Sequence, residues 1–526
     1  MLLHEILELA AADRPRDTAV VVDGRRVSFS ELDRRVAGMA TRVAGSTAPG
    51  DRLVLISDNQ LDALVALYAV PRSGRILAFG NIRHTPTELM TTVDSVDAVA
   101  LLAAPDQLDR LGAELDDRVD LTIWSIGGAH TLASLDLSNE LDGPTRAAHS
   151  AAAAHSAAAA QAAGAAQAAD EGAPAWIIHT SGTTGAPKGV VLTHRNLIAA
   201  TANTAVARPM ADDDVYLFPF PLFHVAAYNV LHAHLRRRPV VLVARFDAGT
   251  VLDLMQTEQV TNCSLAPTMI SMLLDHAEDA AERLTSLRQI SYGASAMPLD
   301  LMRRLFDELP DCGLAQGYGM TELGGNAVFL TPADHRRAAT SEPELLSAAG
   351  RPGPLAALRI VDDDDREVLD GRPGEILVRG DQVCDGYWND PAATAASRLG
   401  PWLRTGDVGR IDDAGVLHVV DRKKEIIITG GENVASREVE DVVGEHPAVG
   451  QVAVVGVPHE RWGEQVCAVV VAAPGRDLDA DELVSWTDGR LAGFKRPKVV
   501  HVVDALPMNA SGKIDKRQVR ELLTGA

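Results

Sequence analysis

The chain has 526 residues, 46% of them hydrophobic and 23% charged, which excludes a globally disordered, collagen-like or coiled-coil protein. Its formal net charge of −23 argues against non-specific binding to nucleic acid or anionic lipid, because both need a basic face. Binding of an anionic small molecule is not excluded, because a loop of backbone amides can hold an anion locally.

The first residues predict an amphipathic helix, because Leu3, Ile6, Leu7 and Ala10 fall on one helical face. This start lacks the basic segment and long apolar core of a secretory signal, and no apolar run is long enough to span a membrane. The four cysteines are scattered, which is typical of buried thiols in a reducing compartment. We therefore expect a cytoplasmic protein without a membrane span.

Through most of the chain, short β-rich runs alternate with helical patterns. Residues 53–56, 240–243 and 289–292 are predicted strands, and a predicted helix at 299–309 follows the last of them. Such alternation favours layered α/β subdomains with largely parallel strands. After about residue 350, short strands separated by Gly, Pro and Asp turns indicate a β-rich antiparallel subdomain. Its predicted strands are 358–361, 375–379 and 416–420.

The C-terminal part of the chain has the pattern of a separate small domain. A predicted strand at 425–428 leads through a turn at 429–433 into a predicted helix at 437–445. Further apolar runs follow at 452–457, 468–471 and 499–503. We predict a large N-terminal region over residues 1–421 and a small, mobile α+β domain over residues 425–526, joined by a charged hinge near 422–424.

A segment dominated by alanine occupies residues 147–170. Alanine favours the helix, yet it offers no large side chain to bury, and packing is what stabilises most helices. His149 and His155 are not spaced to share one helical face, which argues against a metal site. We therefore expect a linker or a frayed helix that lies outside the chemistry.

The strongest motif for chemistry is a glycine- and hydroxyl-rich segment that follows a predicted strand at 176–179. It contains Thr180, Ser181, Gly182, Thr183, Thr184, Gly185 and Lys188. Glycine permits close backbone approach, and amides, hydroxyls and a lysine together can surround a polyphosphate. Lys188 is followed by Gly rather than Ser or Thr, so the segment is not a Walker loop. A Ser/Thr/Gly surface loop is the alternative.

This loop resembles the signature loop of the adenylate-forming superfamily, which includes the acyl-CoA synthetases. Other segments resemble that family's motifs in the same chain order. They are the nucleotide-binding motif at 318–322, the ribose motif at 405–407, the hinge at 421–425, the glycine loop at 429–433 and the catalytic-lysine motif at 507–514, with weaker similarity at 81–83, 386–388 and 461–463. The resemblance covers nearly the whole chain except the alanine-rich segment.

The resemblance implies an ATP-dependent carboxylic acid–CoA ligase that uses ATP, Mg²⁺ and CoA. It implies catalytic roles for Lys188, Thr321, Glu322 and Lys513, with Glu322 and Thr184 as Mg²⁺ contacts. The implied ATP and AMP contacts are Thr180, Ser181, Gly182, Thr183, Thr184, Gly185, Gly293, Ala294, Ser295, Gly317, Tyr318, Gly319, Met320, Thr321, Asp407, Arg422 and Lys513. Taken alone, Tyr318 is also compatible with a core tyrosine, Asp407 with a turn residue and Lys513 with a solvated lysine.

In the C-terminal module, the resemblance implies a pivot at Lys424 and a CoA tunnel beside Gly430 and Gly431. In this family the module turns between the two half-reactions, so that Lys513 faces the site first and the glycine loop replaces it. CoA is the expected acceptor. A carrier protein is the alternative, and the absence of an extra insertion between 350 and 425 favours CoA.

For the acid, the segment 220–225 resembles the region where the family places its substrate gate. The expected substrate contacts are His224, Val225, Ala227 and Tyr228, although His224 is also compatible with a hydrogen-bonded core histidine. No Asp lies nearby to hold an amino group, which argues against an α-amino acid. Small side chains leave volume, so we expect a fatty or bulky apolar acid. The oligomeric state is left open, with a homodimer as one alternative.

Overall fold

The computed structural model describes residues 1–116, 118–127, 170–180, 187–293, 297–509 and 513–524. The predicted alanine-rich linker, with His149 and His155, lies outside the described residues apart from its last position. The described chain divides into two compact units. The first comprises Met1–Ala357 and Val378–Leu403, and the second comprises Leu358–Leu377 and Arg404–Ala526.

The strands are numbered in chain order. The earlier ones are β1 (Thr18–Val22), β2 (Arg25–Ser28), β3 (Arg52–Ile56), β4 (Ile76–Phe79), β5 (Ala100–Ala103), β6 (Thr122–Ser125), β7 (Pro174–Thr180), β8 (Lys188–Thr193), β9 (Tyr216–Phe218), β10 (Val240–Leu242), β11 (Asn262–Leu265), β12 (Gln289–Gly293), β13 (Gly313–Met320), β14 (Gly325–Leu330) and β15 (Arg351–Pro352). The later ones are β16 (Ala357–Val361), β17 (Gly374–Arg379), β18 (Gly386–Tyr387), β19 (Arg398–Leu399), β20 (Trp402–Ile411), β21 (Leu417–Arg422), β22 (Ile427–Thr429), β23 (Glu432–Val434), β24 (Val449–His459), β25 (Gly463–Ala472) and β26 (Val499–Val502).

Helices connect most of these strands. The α-helices are Leu3–Asp13, Phe29–Ser46, Leu61–Arg72, Pro86–Ser95, Pro105–Leu115, His194–Ala207, Tyr228–Leu235, Ala248–Thr257, Pro267–His276, Ala280–Arg283, Leu299–Glu308, Pro332–Thr340, Pro391–Ala396, Ser436–Gly444, Ala480–Trp486 and Lys516–Thr524. Short 3₁₀ helices cover Val225–Ala227, Thr321–Leu323 and Pro343–Ser347. Within the described ranges, no helix is long and apolar enough to cross a membrane.

Two sheets form the first unit. One has nine strands in the order β15-β14-β13-β12-β11-β9-β10-β1-β2, and its central pairs from β13 to β1 are parallel. The other has seven strands in the order β18-β8-β7-β4-β3-β5-β6, parallel from β7 to β6. One hydrophobic core contains residues of both sheets and of the helix Leu61–Arg72, in which ten consecutive residues are buried. This layered arrangement confirms the predicted α/β class.

The N-terminal helix buries the predicted face, since Leu3, Ile6, Leu7 and Ala10 are all buried. This apolar face holds the helix against the core, because burial of each apolar side chain contributes about 1–3 kcal/mol. The cysteine prediction is also confirmed, because all four thiols are free and buried.

The second unit is built on antiparallel hairpins, as the sequence predicts. Strands β20 and β21 pair antiparallel, and β22, β23, β24 and β25 form a further sheet to which β26 adds in parallel. The predicted strand at 425–428 begins later, at Ile427, because the amides of Glu425 and Ile426 donate to the Arg422 carbonyl and close a turn first. The compact units divide elsewhere than at 422–424. The division into compact units describes packing, whereas a hinge describes motion, so the hinge near 422–424 stays a prediction.

Candidate active site

The glycine-rich motif lies between two paired strands. Strands β7 and β8 are antiparallel, and Thr180 at the end of β7 is paired with Lys188 at the start of β8. On its other side β8 pairs with β18, which carries Tyr387. The residues between them, Ser181, Gly182, Thr183, Thr184 and Gly185, lie outside the described part of the chain. The two ends of the predicted phosphate loop are therefore held side by side by the hairpin.

Lys188 and Glu322 are linked through a tyrosine. The Lys188 ammonium lies 5.1 Å from the centre of the Tyr387 ring, a cation–π distance. The Tyr387 hydroxyl donates a hydrogen bond to Oε1 of Glu322 at 3.0 Å. Burial, followed by the Glu322 charge, raises the pKa of Tyr387, so the phenol stays protonated and remains a donor. The sequence around Tyr387 assigns it no role, although the segment 386–388 has weak similarity to a family motif.

Glu322 sits in a short 3₁₀ turn that ends β13. The turn spans Thr321–Leu323, and Glu322 is only 6% exposed. Its backbone carbonyl accepts a hydrogen bond from the Cys384 amide at 2.8 Å. The turn fixes a carboxylate at the carboxyl end of the strand, where ligands of parallel α/β sheets usually bind.

Adjacent strand ends bring the rest of the predicted nucleotide site together. Strands β12 and β13 are parallel, and Gly293 is paired with Gly317. A side chain at Gly293 would lie 2.7 Å from the Gly317 carbonyl oxygen, so the two strands approach closely here. Tyr318, Gly319 and Met320 complete β13, with Tyr318 half-buried, and Thr321 follows directly. Ala294 and Ser295 lie outside the described residues.

A cavity of about 150 Å³ opens beside Lys188. His179, on the strand before the loop, lines it, and its Nε2 lies 3.0 Å from the Ser95 hydroxyl oxygen. Burial, helped by the charge of His84, lowers the pKa of His179 to about 4. The imidazole is therefore neutral at pH 7 and adds a polar group without charge at the base of the loop. No pattern among the neighbouring residues in the sequence marks His179 as a residue of the site.

The predicted acid-binding residues lie on the helical segment after β9. His224 caps the 3₁₀ helix through its Nδ1, which accepts from the Ala226 amide at 3.2 Å. Val225 and Ala227 are buried in the hydrophobic core. Tyr228 faces β14, because a side chain added to Gly325 would lie 2.7 Å from its ring. Gly325 also has a φ of 149°, which strains any other residue. Tyr228 is the member of this set that reaches the strands of the site.

In the second unit, the ribose motif forms an ion pair. The Asp407 carboxylate is buried and lies 2.8 Å from Nε of Arg422, on the paired strands β20 and β21. Lys513 is an exposed residue as a whole, but partial desolvation of its ammonium lowers its pKa, and the Arg422 charge lowers it further. Asp407 and Glu425 oppose these effects. The predicted catalytic lysine therefore shares one charged cluster with the predicted ribose contacts.

The predicted CoA-tunnel glycines form the tip of the β22–β23 hairpin. Gly430 and Gly431 have φ values of 61° and 85°, which only glycine adopts easily. The Gly430 amide donates to the Trp462 carbonyl at 2.7 Å, and a side chain at Gly430 would lie 3.1 Å from the Trp462 ring. The exposed residue Lys424, the predicted pivot, lies in the turn between β21 and β22.

Comparisons with known proteins show the family of the chain. The AMP-binding enzyme family matches residues 7–388, and its C-terminal domain matches residues 438–513. A feruloyl-CoA synthase from Amycolatopsis sp is 36% identical over 96% of both chains. A fatty acid–[acyl-carrier-protein] ligase, ScoC, from Streptomyces coeruleorubidus is 31% identical over 98% of this chain and 95% of its own.

A solved structure has a fold similar to that of this chain. It is o-succinylbenzoate CoA synthetase from Bacillus subtilis in complex with its acyl-adenylate intermediate, with a TM-score of 0.82 and 28% identity over 98% of this chain and 97% of that one. A second structure of that enzyme contains ATP and a magnesium ion. The chain therefore belongs to the AMP-binding enzyme family and is an AMP-forming acid–thiol ligase of its acyl-CoA synthetase branch.

Proposed function

We propose that this ligase joins a carboxylic acid to ATP as an acyl-adenylate and then transfers the acyl group to the thiol of CoA. In the first step a carboxylate oxygen bonds to the α-phosphorus, and pyrophosphate leaves with the bridging oxygen. In the second step the thiol sulfur loses its proton and bonds to the acyl carbon, and AMP leaves. The observation that carries the proposal is the contact chain from Lys188 through Tyr387 to buried Glu322.

The first unit supplies the proposed contacts for the phosphates. Lys188 and the loop that starts at Thr180 are proposed to contact the β- and γ-phosphates, and Thr321 is proposed to contact the α-phosphate. The pairing of Thr180 with Lys188 supports this proposal. Glu322 and Thr184 would hold Mg²⁺, since this ion favours one or two carboxylates together with phosphate oxygens. Mg²⁺, when bound, neutralises phosphate charge. The protein itself contributes mainly position and electrostatic stabilisation, as in other phosphate chemistry.

The second unit supplies the proposed contacts for ribose and for the two half-reactions. Asp407, already oriented by Arg422, accepts hydrogen bonds from the ribose hydroxyls. Lys513 stabilises the negative charge between the acid and the α-phosphate. After adenylation, the module is proposed to turn about Lys424 and present Gly430 and Gly431 to the pantetheine arm of CoA. The left-handed hairpin tip leaves backbone without side chains there, which suits close approach of a narrow ligand.

The acid is proposed to have a fatty or bulky apolar body. Its carboxylate would lie near Thr321, and its body would pass beside Tyr228 and the side-chain-free strand position Gly325. The names of relatives support an acid of this kind, because they include aromatic and fatty acids. A carrier protein is the second candidate for the acceptor, since ScoC is named as a ligase for an acyl carrier protein.

A panel of acids tests the proposal directly. The protein is incubated with ATP, Mg²⁺, CoA and single carboxylic acids of graded size, and CoA thioesters and acyl-AMP are measured by mass spectrometry. Formation of both species from apolar acids is the expected result. Formation of acyl-AMP without any thioester would indicate that the acceptor is a carrier protein and not CoA. The absence of acyl-AMP with every acid would reject the adenylation step.

Tyr387→Phe is expected to lower the rate of pyrophosphate exchange by about tenfold or more, because a hydrogen bond to a charged group is worth about 1.5–3 kcal/mol. The change removes only the hydroxyl that donates to Glu322 and keeps the ring under Lys188. Tyr68→Phe is the matched control, because the Tyr68 hydroxyl bonds the His234 ring within the core. Equal effects of the two changes on exchange would contradict a role of Tyr387 in positioning Glu322.

The pH dependence of adenylation is expected to follow Lys513. The protonated ammonium is the active form, so activity is lost as pH rises through its pKa, which lies below the ordinary 10.5. The kcat/KM for exchange reports the pKa values of the free enzyme. It should therefore decrease as pH rises, on an alkaline limb with an apparent pKa below 10.5. In Lys513→Arg the guanidinium does not titrate in this range, so the limb should disappear. An unchanged limb in Lys513→Arg would assign it to another group.

A further inference from the structure

A buried polar cluster includes residues of the helix Tyr228–Leu235 in the first unit, and apart from Tyr228 its members have no role in the chemistry proposed above. We call it the Arg208 cluster, and its members are Arg208, Tyr216, Tyr228, Asn229, His232 and Ser264. Arg208 is 4% exposed, Tyr228 2% and His232 0%. So deep a position for a guanidinium is costly unless a partner compensates its charge.

The guanidinium has neutral partners. Its Nη1 donates to the Ser264 hydroxyl at 3.2 Å, and its Nη2 donates to Oδ1 of Asn229 at 2.5 Å. The Ser264 hydroxyl also accepts from the Tyr216 hydroxyl at 2.8 Å. Among the described residues, no carboxylate forms an ion pair with Arg208. Within the described ranges, the buried positive charge of Arg208 thus has no negative charge paired with it.

Several polar atoms of the cluster have no hydrogen-bond partner in the described structure. They are Nε of Arg208, the hydroxyl of Tyr228 and both ring nitrogens of His232. Burial first, and then the charges of Arg208 and Arg236, lower the pKa of His232, so its ring is neutral and one of its nitrogens is a donor. Buried donors without acceptors are rare in native proteins, because each has lost its hydrogen bonds to water without replacement. Three unsatisfied side chains at one place point to an acceptor supplied from outside the chain.

The cluster reaches the proposed acid site through Tyr228. The ring of Tyr228 packs against Gly325, which is paired with Met320 immediately before Thr321 and Glu322. Tyr228 is followed on the same helix by Asn229, whose Oδ1 accepts from Arg208. One residue therefore borders both the strands that hold the adenylation residues and the buried guanidinium.

We propose that the Arg208 cluster binds a hydrogen-bond-accepting oxygen, a carboxylate or a ketone, at the end of the acid remote from its reacting carboxyl group. The inference rests on the proposed function and specifies its substrate class: an acid with a mainly apolar body and an oxygen at its far end. The uncompensated guanidinium favours a carboxylate, because an anion both accepts the free N–H and neutralises the charge. A plain hydrocarbon end would leave the same donors unsatisfied.

The test uses matched acids in a series of increasing chain length. At each length, pyrophosphate exchange is measured with the plain acid, with the corresponding keto acid and with the dicarboxylic acid. At the best-fitting length, kcat/KM is expected to be at least about tenfold higher for an oxygen-bearing acid than for the plain acid, because sites built to hydrogen-bond a group reject analogues without it. The keto and dicarboxylic arms identify which oxygen the cluster prefers.

Two variants connect the preference to the cluster. In Arg208→Met and in Tyr228→Phe, the ratio between oxygen-bearing and plain acid is expected to fall towards one. Arg236→Met is the matched control, because Arg236 is an exposed arginine near His232 that donates to the Met210 carbonyl. A preference for the plain acid at every length, or a ratio that both cluster variants leave unchanged, would overturn the proposal.

Thermal melting provides a readout that does not depend on turnover. The Tyr228 hydroxyl bonds nothing in the described structure, so Tyr228→Phe is expected to melt at or above the wild-type temperature without ligand. Addition of an oxygen-bearing acid should then raise Tm of the wild type more than that of the variant. A lower Tm for the free variant and equal shifts with acid would assign the cluster to folding alone. If no acid supports exchange, the proposed function fails, and these shifts still decide the role of the cluster.

Discussion

Lys513→Ala is expected to reduce carboxylate-dependent ATP–pyrophosphate exchange by about 10²–10³-fold, the usual effect of removing one preorganised electrostatic group. Thioester formation from acyl-adenylate supplied ready-made should largely survive, because the second step is proposed to use the glycine hairpin instead. The charged surroundings of Lys513, with Arg422 and Asp407, support a role beside the nucleotide. The two half-reactions are measured separately, the first by isotope exchange and the second by CoA thioester formation.

Lys495→Ala is the matched control for this variant. Lys495 is a lysine of the same unit, and its ammonium pairs with Glu438 at 2.7 Å on the surface. A surface ion pair contributes about 0–1 kcal/mol, so this change should affect neither half-reaction. Equal loss of both half-reactions in Lys513→Ala would count against its assigned role and would indicate a defect common to both steps.

Much of the fold follows from local patterns in the sequence. The apolar runs at 53–56, 240–243 and 289–292 are strands in the structure, because side chains buried on both faces of a parallel sheet give continuous hydrophobic runs. The order of the strands in each sheet, in contrast, does not follow from local patterns. That β12 lies beside β13 and β11, or that β18 joins β8, depends on pairings between distant parts of the chain, which short-range periodicity does not encode.

The site shows the same division between local and distant information. Glu322, Asp407 and Lys188 lie in motifs whose residue types are adjacent in the chain, and these motifs identify them. Tyr387 is 65 positions from Glu322, and only the pairing of β18 with β8 brings its hydroxyl to that carboxylate. The Arg208 cluster likewise joins four chain segments. That no described carboxylate pairs with its guanidinium therefore becomes visible only in three dimensions.

The net charge of −23 acts against the proposed site, because ATP, CoA and the acid proposed to bind there are all anions. Local cations must therefore offset the overall field. In the described part of the chain Lys188 forms no ion pair and lies over the Tyr387 ring, and Arg422 keeps about half of its side chain exposed while it orients Asp407. The positive charge of Lys188 is therefore available to a ligand, whereas that of Arg422 is partly neutralised by its ion pair with Asp407.

Glu322→Gln is expected to lower pyrophosphate exchange by about 10²–10³-fold, because it removes the negative charge proposed to hold Mg²⁺ while keeping the shape of the side chain. The amide oxygen can still accept from Tyr387, so the local hydrogen bond is preserved and the loss reports the charge. The concentration of Mg²⁺ that gives half-maximal exchange should rise in the same variant. Exchange is measured over a titration of Mg²⁺ at saturating ATP and acid.

Asp62→Asn provides the comparison with another buried carboxylate of the same unit. Asp62 is 4% exposed, and its carboxylate accepts from the Gly127 amide at 3.0 Å, away from the residues assigned to the nucleotide. Burial raises the pKa of Asp62, so its replacement by Asn is expected to change the free energy of unfolding. The Mg²⁺ midpoint, the concentration that gives half-maximal exchange, should stay unchanged. If Glu322→Gln also left that midpoint unchanged, the carboxylate would have a structural role and Mg²⁺ would depend on other ligands. A shifted midpoint in Glu322→Gln alone assigns the metal contact to this residue, because lost stability lowers the amount of active enzyme without changing its affinity for Mg²⁺.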